Sequence, residues 1–156
     1  MSNSLHTFQH RSVIRTSIEA MTQFHNAPNA LVVLTPPPLI VQIVRDGRVS
    51  LTEGEVVFKL WFGPLSVLWK ARHEPGSTLT SFIDRMLTGP MASWEHEHIF
   101  SEVDRGVELT DKVTYAHKAG WRGVLTLLVF DGLPLRFLFW YRHWRTRRAL
   151  EKETRA

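Results

Sequence analysis

Two neighbouring segments of the chain alternate aromatic residues with histidine and aspartate. The first segment runs from Trp94 to Phe100, and the second runs from Leu109 to Tyr115. Alternation with a period of two predicts a β-strand in each segment, because successive side chains of a strand point to opposite faces. The inward faces then carry the following residues: Trp94, His96, His98 and Phe100 on one strand, and Leu109, Asp111, Val113 and Tyr115 on the other. This mixture of aromatic and polar groups indicates the wall of a cavity.

The histidines and the aspartate allow three interpretations. In the first, His96, His98 and Asp111 form a structural hydrogen-bonded network. In the second, they anchor a polar group of a ligand. In the third, they transfer protons or bind a metal ion. We favour the structural network, followed by the ligand anchor. A metal site needs a further ligand held in a fixed position, and His143 is the only suitable addition. We therefore predict no metal and no other cofactor. The intervening Glu95 and Glu97 are expected in solvent.

Arg142 is the second candidate for a polar anchor. If a long helix begins near Gly132, helical spacing places Arg142 on an apolar face with Leu135, Leu138, Phe139, Thr146 and Leu150. A cation among apolar residues requires an anionic partner, and we expect a structural ion pair with Asp111 or Asp84. The alternative partner is a carboxylate or phosphate of a ligand, which a guanidinium group binds through paired N–H donors.

The opposite face of the same helix is also apolar, which leaves the orientation of the helix open. This face carries Leu133, Phe137, Trp140, Tyr141 and Trp144. We expect one face to be buried and the other to form a homodimer contact. A membrane-surface contact is the less favoured alternative, in which the nearby arginines would contact anionic lipid headgroups.

The rest of the chain predicts the elements that position these residues. A strand is expected at residues 6–16, followed by a short helix capped by Ser17 and a second short helix that ends before Pro36. Further strands with tight connections are expected at residues 39–44, 55–62, 65–73 and 78–87. The pattern becomes helical after Gly120, and the long helix begins at Asp131 or Gly132 and ends near Glu153.

Length and composition predict one α+β domain over residues 1–156. The chain has no cysteine, which excludes disulfides and thiolate catalysis and fits a reducing compartment. No signal-peptide pattern is recognised, and charged residues interrupt the apolar stretch from Val124 to Tyr141, so we expect a cytoplasmic protein. The net charge of +4 resides mainly in the last helix, where cations oppose the helix dipole. Without a recognition motif, this charge does not indicate nucleic-acid binding.

Several short motifs together resemble the START/SRPBCC superfamily, which includes the birch pollen allergen and polyketide cyclases. The motifs are Leu34-Thr35-Pro36-Pro37, Phe62-Gly63-Pro64-Leu65, Phe82-Ile83-Asp84, Gly89-Pro90, the two alternating segments, and Phe139-x-Tyr141-Arg142-His143. The resemblance implies the helix-grip fold, in which a curved antiparallel sheet with two short helices after the first strand wraps around a long C-terminal helix. It also implies an apolar cavity between the sheet and that helix. It does not imply one chemistry, because proteins of one fold differ in function.

We therefore predict a protein that binds a hydrophobic small molecule, such as a lipid or an aromatic polyketide-like compound, without catalysis. The alternatives are a cyclase or dehydratase that uses His96, His98 and Asp111, and an interaction module that uses the last helix. The residues predicted to contact the ligand are Phe58, Trp61, Trp69, Phe82, Trp94, His96, His98, Phe100, Tyr115, Phe139, Arg142 and His143.

Overall fold

Antiparallel strands form a single curved sheet in the computed structural model, which describes residues 4–153. The strands are β1 His6–Ile14, β2 Ile40–Ser50, β3 Glu53–Phe62, β4 Leu65–Pro75, β5 Ser81–Thr88, β6 Ser93–Val103 and β7 Gly106–Ala116. Their order across the sheet is β1-β7-β6-β5-β4-β3-β2. Strands β2 to β7 therefore follow one another as a meander, and β1 returns to pair with the last of them.

The helices are α1 Ile18–Asn26, α2 Ala30–Val33, α3 Trp121–Phe130 and α4 Gly132–Glu153. The Ser17 hydroxyl caps α1 by accepting a hydrogen bond from the Ala20 N–H at 3.2 Å. The helical pattern after Gly120 forms the separate helix α3. Gly132, with a φ of +53°, interrupts the helical path and allows α4 to begin in a new direction. The predicted helix-grip fold is confirmed.

The orientation of α4, which the sequence leaves open, is determined by burial. Leu135, Phe139 and Leu150 are buried against the sheet, together with Thr146. The opposite face is exposed, and it includes Leu133, Phe137, Trp140 and Trp144. In the described part of the chain no single helix is long and apolar enough to cross a membrane. Helices α3 and α4 together reach that length and composition, but they are bent by 43° at their junction.

Two local predictions were wrong. The strand predicted at residues 39–44 does not end there, because a register shift between Ile43 and Arg45 lets β2 continue through Asp46-Gly47 to Ser50. Glu97 is buried rather than solvated. Its carboxylate accepts hydrogen bonds from the backbone N–H and the hydroxyl of Ser77, so the connection between β4 and β5 covers it.

Candidate functional site

Strands β6 and β7 place the predicted polar residues on one buried face. His98 lies directly opposite Asp111, and His96 lies opposite Val113. All eight residues predicted to point inward from the two segments are buried: Trp94, His96, His98, Phe100, Leu109, Asp111, Val113 and Tyr115. The period-two interpretation of both segments is therefore confirmed.

Asp111 is the centre of the polar network. Its Oδ1 accepts a hydrogen bond from His96 Nε2 at 2.8 Å, and its Oδ2 accepts one from His143 Nε2 at 2.8 Å. His98 Nδ1 lies 2.9 Å from Oδ1, at ion-pair distance. Burial alone would raise the pKa of Asp111, but His98 and the neighbouring donors hold that pKa well below its ordinary value. Asp111 is therefore a carboxylate shared by three imidazoles.

His98 lies between two carboxylates and is the cation of the network. Its Nε2 donates a hydrogen bond to Asp84 Oδ2 at 3.0 Å, while Nδ1 faces Asp111. Burial would lower the pKa of His98, but the two carboxylates outweigh it and raise the pKa to about 9. The ring also stacks on Phe82, with centroids 4.3 Å apart. A protonated imidazole is thus buried, with a hydrogen bond at Nε2, an ion-pair contact without hydrogen-bond geometry at Nδ1, and Phe82 against one face.

His96 and His25 have the opposite protonation. Burial, followed by the positive charge of His98, lowers the pKa of each to about 4, so both are neutral at pH 7. Because His96 donates from Nε2 to Asp111, its Nδ1 carries the lone pair, and that atom has no hydrogen-bond partner among residues 4–153. Likewise, His25 donates from Nδ1 to the Met21 carbonyl at 2.9 Å.

Two further histidines extend the network beyond the central residues. His73 Nε2 lies 2.7 Å from Asp84 Oδ1. On the other side, the Ser12 hydroxyl donates to His143 Nδ1 at 2.5 Å, which fixes the tautomer that donates to Asp111. Burial would raise the pKa of Asp84, but His73 and His98 hold that pKa well below its ordinary value. The network thus connects β1, β4, β5, β6, β7 and α4 under the sheet.

A cavity of about 130 Å³ adjoins this network. Aromatic and aliphatic side chains form most of its wall, with contributions from α2, β2, β3, β4 and α4; they include Leu34, Val41, Phe58, Leu60, Trp69 and Leu138. Polar and charged side chains complete the lining: His25, Thr35, Arg48, His73, Asp84, His96, His98 and Arg142. The cavity therefore offers an apolar compartment with charged and neutral donors and acceptors at one end, the usual design of a small-molecule site.

Arg142 has no hydrogen bond or ion pair through its guanidinium group with any residue that the structure describes. Its Nε is buried without a partner, and its guanidinium carbon lies 5.5 Å from the centroid of the Phe139 ring. Burial lowers the pKa of Arg142, while Asp111 and Asp84 act in the opposite direction from a distance. The predicted ion pair with one of these aspartates was wrong, because histidines already occupy both carboxylates.

Seven of the residues predicted to contact a ligand line the cavity: Phe58, Trp69, Phe82, Trp94, His96, His98 and Arg142. The other five lie elsewhere. Phe100 and Phe139 are core residues, and His143 is bound to Asp111. Trp61 donates to Gln42 Oε1 at 3.0 Å on the other face of β3, and the Tyr115 hydroxyl donates to Asp131 at 2.9 Å.

Sequence reasoning missed several polar residues that line the cavity, including His25, Arg48, His73 and Asp84. His25 follows Met21 by one helical turn on α1, so its helical spacing was the available signal. Asp84 was considered only as a partner of Arg142. Together with His96 and His98, Asp84 offers ligand atoms within 4.8 Å of one another, which is a spacing that a metal ion can use. Both nitrogens of His98 already face carboxylates, so a metal would have to replace a proton of that ring.

No protein-family model and no curated protein sequence matches the chain. Solved structures with the same fold include a nucleoside-diphosphate sugar epimerase from Corynebacterium glutamicum, with 26% identity and a TM-score of 0.69; the match covers 95% of this chain and 30% of that one. Major latex-like protein 151 of Panax ginseng has 10% identity and a TM-score of 0.66 over 94% of this chain and 97% of that one. The Zhui aromatase/cyclase of Streptomyces sp. R1128 has 16% identity and a TM-score of 0.58 over 96% and 93%, respectively. The chain therefore has the helix-grip fold that these structures share.

Proposed function

We propose that the protein binds a small apolar molecule that carries an anionic group, with the apolar part in the cavity and the anion at Arg142. The observation that carries this proposal is the buried Arg142 Nε, which has no partner among residues 4–153. A buried donor without an acceptor is unfavourable by about 1–3 kcal/mol. A ligand carboxylate would satisfy the guanidinium donors through short charge-assisted hydrogen bonds.

The cavity volume limits the size of the ligand. An apolar cavity of roughly 150 Å³ in another protein holds one benzene molecule, and the volume here is about 130 Å³. A single aromatic ring fits this space. A lipid chain or a multi-ring polyketide, the ligands suggested by the sequence, would require side chains of the wall to move. We therefore propose an aromatic carboxylate of one ring as the ligand class.

The polar end of the cavity favours an anion over a cation. Asp84 lines the cavity, but its oxygens face His73 and His98. Both carboxylates of the network are thus already paired with imidazoles, whereas the guanidinium of Arg142 is not. An incoming carboxylate completes a pair, while an incoming ammonium group would meet Arg142 and the protonated His98.

Calorimetry with benzoate and benzyl alcohol tests this function, because the two probes share a ring and differ in charge. Benzoate should bind the wild type more tightly than the alcohol does. The Arg142→Met variant should lose about 10- to 100-fold in benzoate affinity, as expected for a charge-assisted hydrogen bond, and little for the alcohol. Arg105→Gln changes an exposed arginine in the β6–β7 turn and is the matched control. Equal binding of benzoate by the wild type and Arg142→Met would contradict the proposal.

A second candidate function is proton transfer by His96. The observation that favours it is the neutral ring held by Asp111, with a pKa of about 4 and an Nδ1 lone pair that has no partner among the described residues. Such a dyad resembles the oriented bases of many enzymes, although a pKa of about 4 makes it a weak base. The START/SRPBCC fold also includes cyclases, such as the aromatase/cyclase named above.

Hydrogen–deuterium exchange at the carbon beside the carbonyl of cyclohexanone tests this second function. The wild type should accelerate exchange over buffer, and His96→Gln should abolish the acceleration while keeping the fold. His6→Gln changes an exposed histidine outside the cavity and is the control. Acceleration by His96→Gln equal to that of the wild type would exclude His96 as the base.

We also propose that the protein resides in the cytoplasm. The chain contains no cysteine, which fits a reducing compartment. Cell fractionation followed by immunodetection tests this location. Recovery of the protein only in the extracellular or periplasmic fraction would contradict it.

A further inference from the structure

Helices α3 and α4 present an exposed apolar surface that the cavity does not use. We call it the aromatic surface and define it by Trp121, Leu125 and Leu128 of α3 and Phe137, Trp140 and Trp144 of α4. Trp121 is 70% exposed, Leu128 is 68% exposed and Trp140 is 52% exposed. Exposed large apolar groups in this number on two consecutive helices mark an interaction site rather than ordinary surface.

The aromatic rings of α4 form one organised stripe. Phe137, Trp140 and Trp144 follow one another at spacings of three and four residues, so they share one face of the helix. The rings of Phe137 and Trp140 stack with centroids 5.8 Å apart, and those of Trp140 and Trp144 stack at 6.3 Å. Their mutual packing keeps the rings ordered while one side of each stays exposed.

Basic residues border this surface. Asp131 is the sole acidic residue in the sequence between Lys118 and Arg148, whereas six residues of that segment are lysine or arginine, counting both ends and leaving out Arg142 of the cavity. The guanidinium of Arg122 lies 5.5 Å from the Trp121 ring, and that of Arg148 lies 5.5 Å from the Trp144 ring. The surface therefore combines exposed aromatic rings with positive charge at its edges.

We propose that the aromatic surface binds the surface of an anionic phospholipid bilayer. Tryptophan rings occupy the headgroup level of a bilayer, and flanking arginines are attracted to anionic headgroups. Charge argues against a second copy of the chain as the partner. A two-fold dimer would place the same patch against itself, and its arginines would face one another.

The two helices that carry the aromatic surface also border the cavity. Phe130 of α3 and Leu138 of α4 line the cavity. The helices that contact the bilayer thus also form part of the cavity wall. An apolar ligand dissolved in the membrane would then be close to its binding site.

Flotation with vesicles tests the proposal directly. The wild type should float with vesicles of equal parts phosphatidylcholine and phosphatidylglycerol, and much less with phosphatidylcholine alone. Replacing Arg122 and Arg148 by Gln should lower partitioning about fivefold for each residue, the effect of one basic group near an anionic surface. The double substitution Trp140→Ser and Trp144→Ser should lower it about tenfold or more, because it removes two large apolar side chains from the contact.

The controls change similar groups elsewhere. The control for the tryptophan variant is the double substitution Leu65→Ser and Val49→Ser, which removes exposed apolar groups from the sheet. The control for the arginine substitutions is Arg105→Gln, which removes an exposed charge elsewhere. Both should float like the wild type, and circular dichroism should show that every variant is folded. Absence of flotation, or equal flotation of the tryptophan variant and its control, would overturn the proposal. A lipid-free dimer that dissociates in the tryptophan variant would also overturn it and assign the surface to a second copy.

Discussion

Replacing Asp111 by Asn removes the charge on which the buried network depends, while keeping the size of the side chain. In the native protein Asp111 faces His96, His98 and His143 at distances of 2.8, 2.9 and 2.8 Å, respectively. The amide oxygen of Asn accepts hydrogen bonds, but its NH₂ group only donates. At least one imidazole N–H would therefore face another donor, and the protonated His98 would lose one of its two carboxylates.

The size of the effect follows from the burial of these groups. Breaking a buried ion pair by removing one partner destabilises a protein by about 3–5 kcal/mol, because the remaining charge stays buried. For a chain of this length, each kcal/mol lowers the Tm by roughly 2–4 °C. We therefore expect Asp111→Asn to lower the Tm by roughly 10 °C, together with a fall in the pKa of His98 from its raised value of about 9.

Urea unfolding followed by circular dichroism measures the change in stability, and NMR titration of the imidazole ring measures the pKa of His98. Asp104→Asn changes an exposed aspartate in the turn between β6 and β7 and should cost no more than about 0.5 kcal/mol. A loss in Asp111→Asn no larger than that in the control would refute this reasoning. So would a His98 ring that titrates in the wild type at the ordinary value of about 6.5.

Three further predictions concern pH, packing and Arg142. The pKa of His98 is raised to about 9, so its contribution to stability is complete below about pH 6.5 and is lost as pH rises through 9. The pKa values of His25 and His96 are lowered to about 4, so these two residues reduce stability as pH falls from about 6.5 to 4. Urea unfolding across this range should show greatest stability near neutral pH, and a flat profile would contradict the assigned protonation states. Phe139→Ala should lower the free energy of unfolding by about 3–5 kcal/mol, because Phe139 is fully buried. Phe137 is 51% exposed, so Phe137→Ala should lower it by less than about 1 kcal/mol. Equal losses of stability would show that α4 is oriented differently. Arg142→Met should leave stability unchanged or raise it by about 1–2 kcal/mol, because it removes a half-buried cation whose buried Nε–H has no acceptor among residues 4–153. A loss of several kcal/mol would mean that Arg142 serves the fold instead of a ligand.

The face that each strand residue occupies could be predicted from sequence, because the strand period of two leaves only two choices. Once His96 and Trp94 pointed inward, His98 and Phe100 had to follow. The same rule placed Glu97 on the outer face correctly, but it gave no information on what covers that face. The Ser77 connection buries the carboxylate, and such coverage depends on the path of a loop.

The partners of the charged residues could not be predicted, because they depend on distances between elements far apart in sequence. Arg142 and Asp111 are 31 positions apart in the sequence, and both belong to buried faces, so an ion pair was reasonable. The structure shows instead that three imidazoles surround Asp111. The cavity volume was also inaccessible from sequence, because it depends on how rings such as Trp69 and Phe58 stack.

In the proposed function, Arg142 binds the anionic group of a ligand whose apolar part fills the cavity. NMR titration of wild-type protein with benzoate, observing the Arg142 Nε–H and the Trp69 indole N–H, tests it most directly. We predict that both signals shift with one dissociation constant, and that benzyl alcohol shifts only the Trp69 signal. A benzoate titration that leaves the Arg142 signal unchanged while the cavity signal shifts, or that shifts neither, would contradict the account.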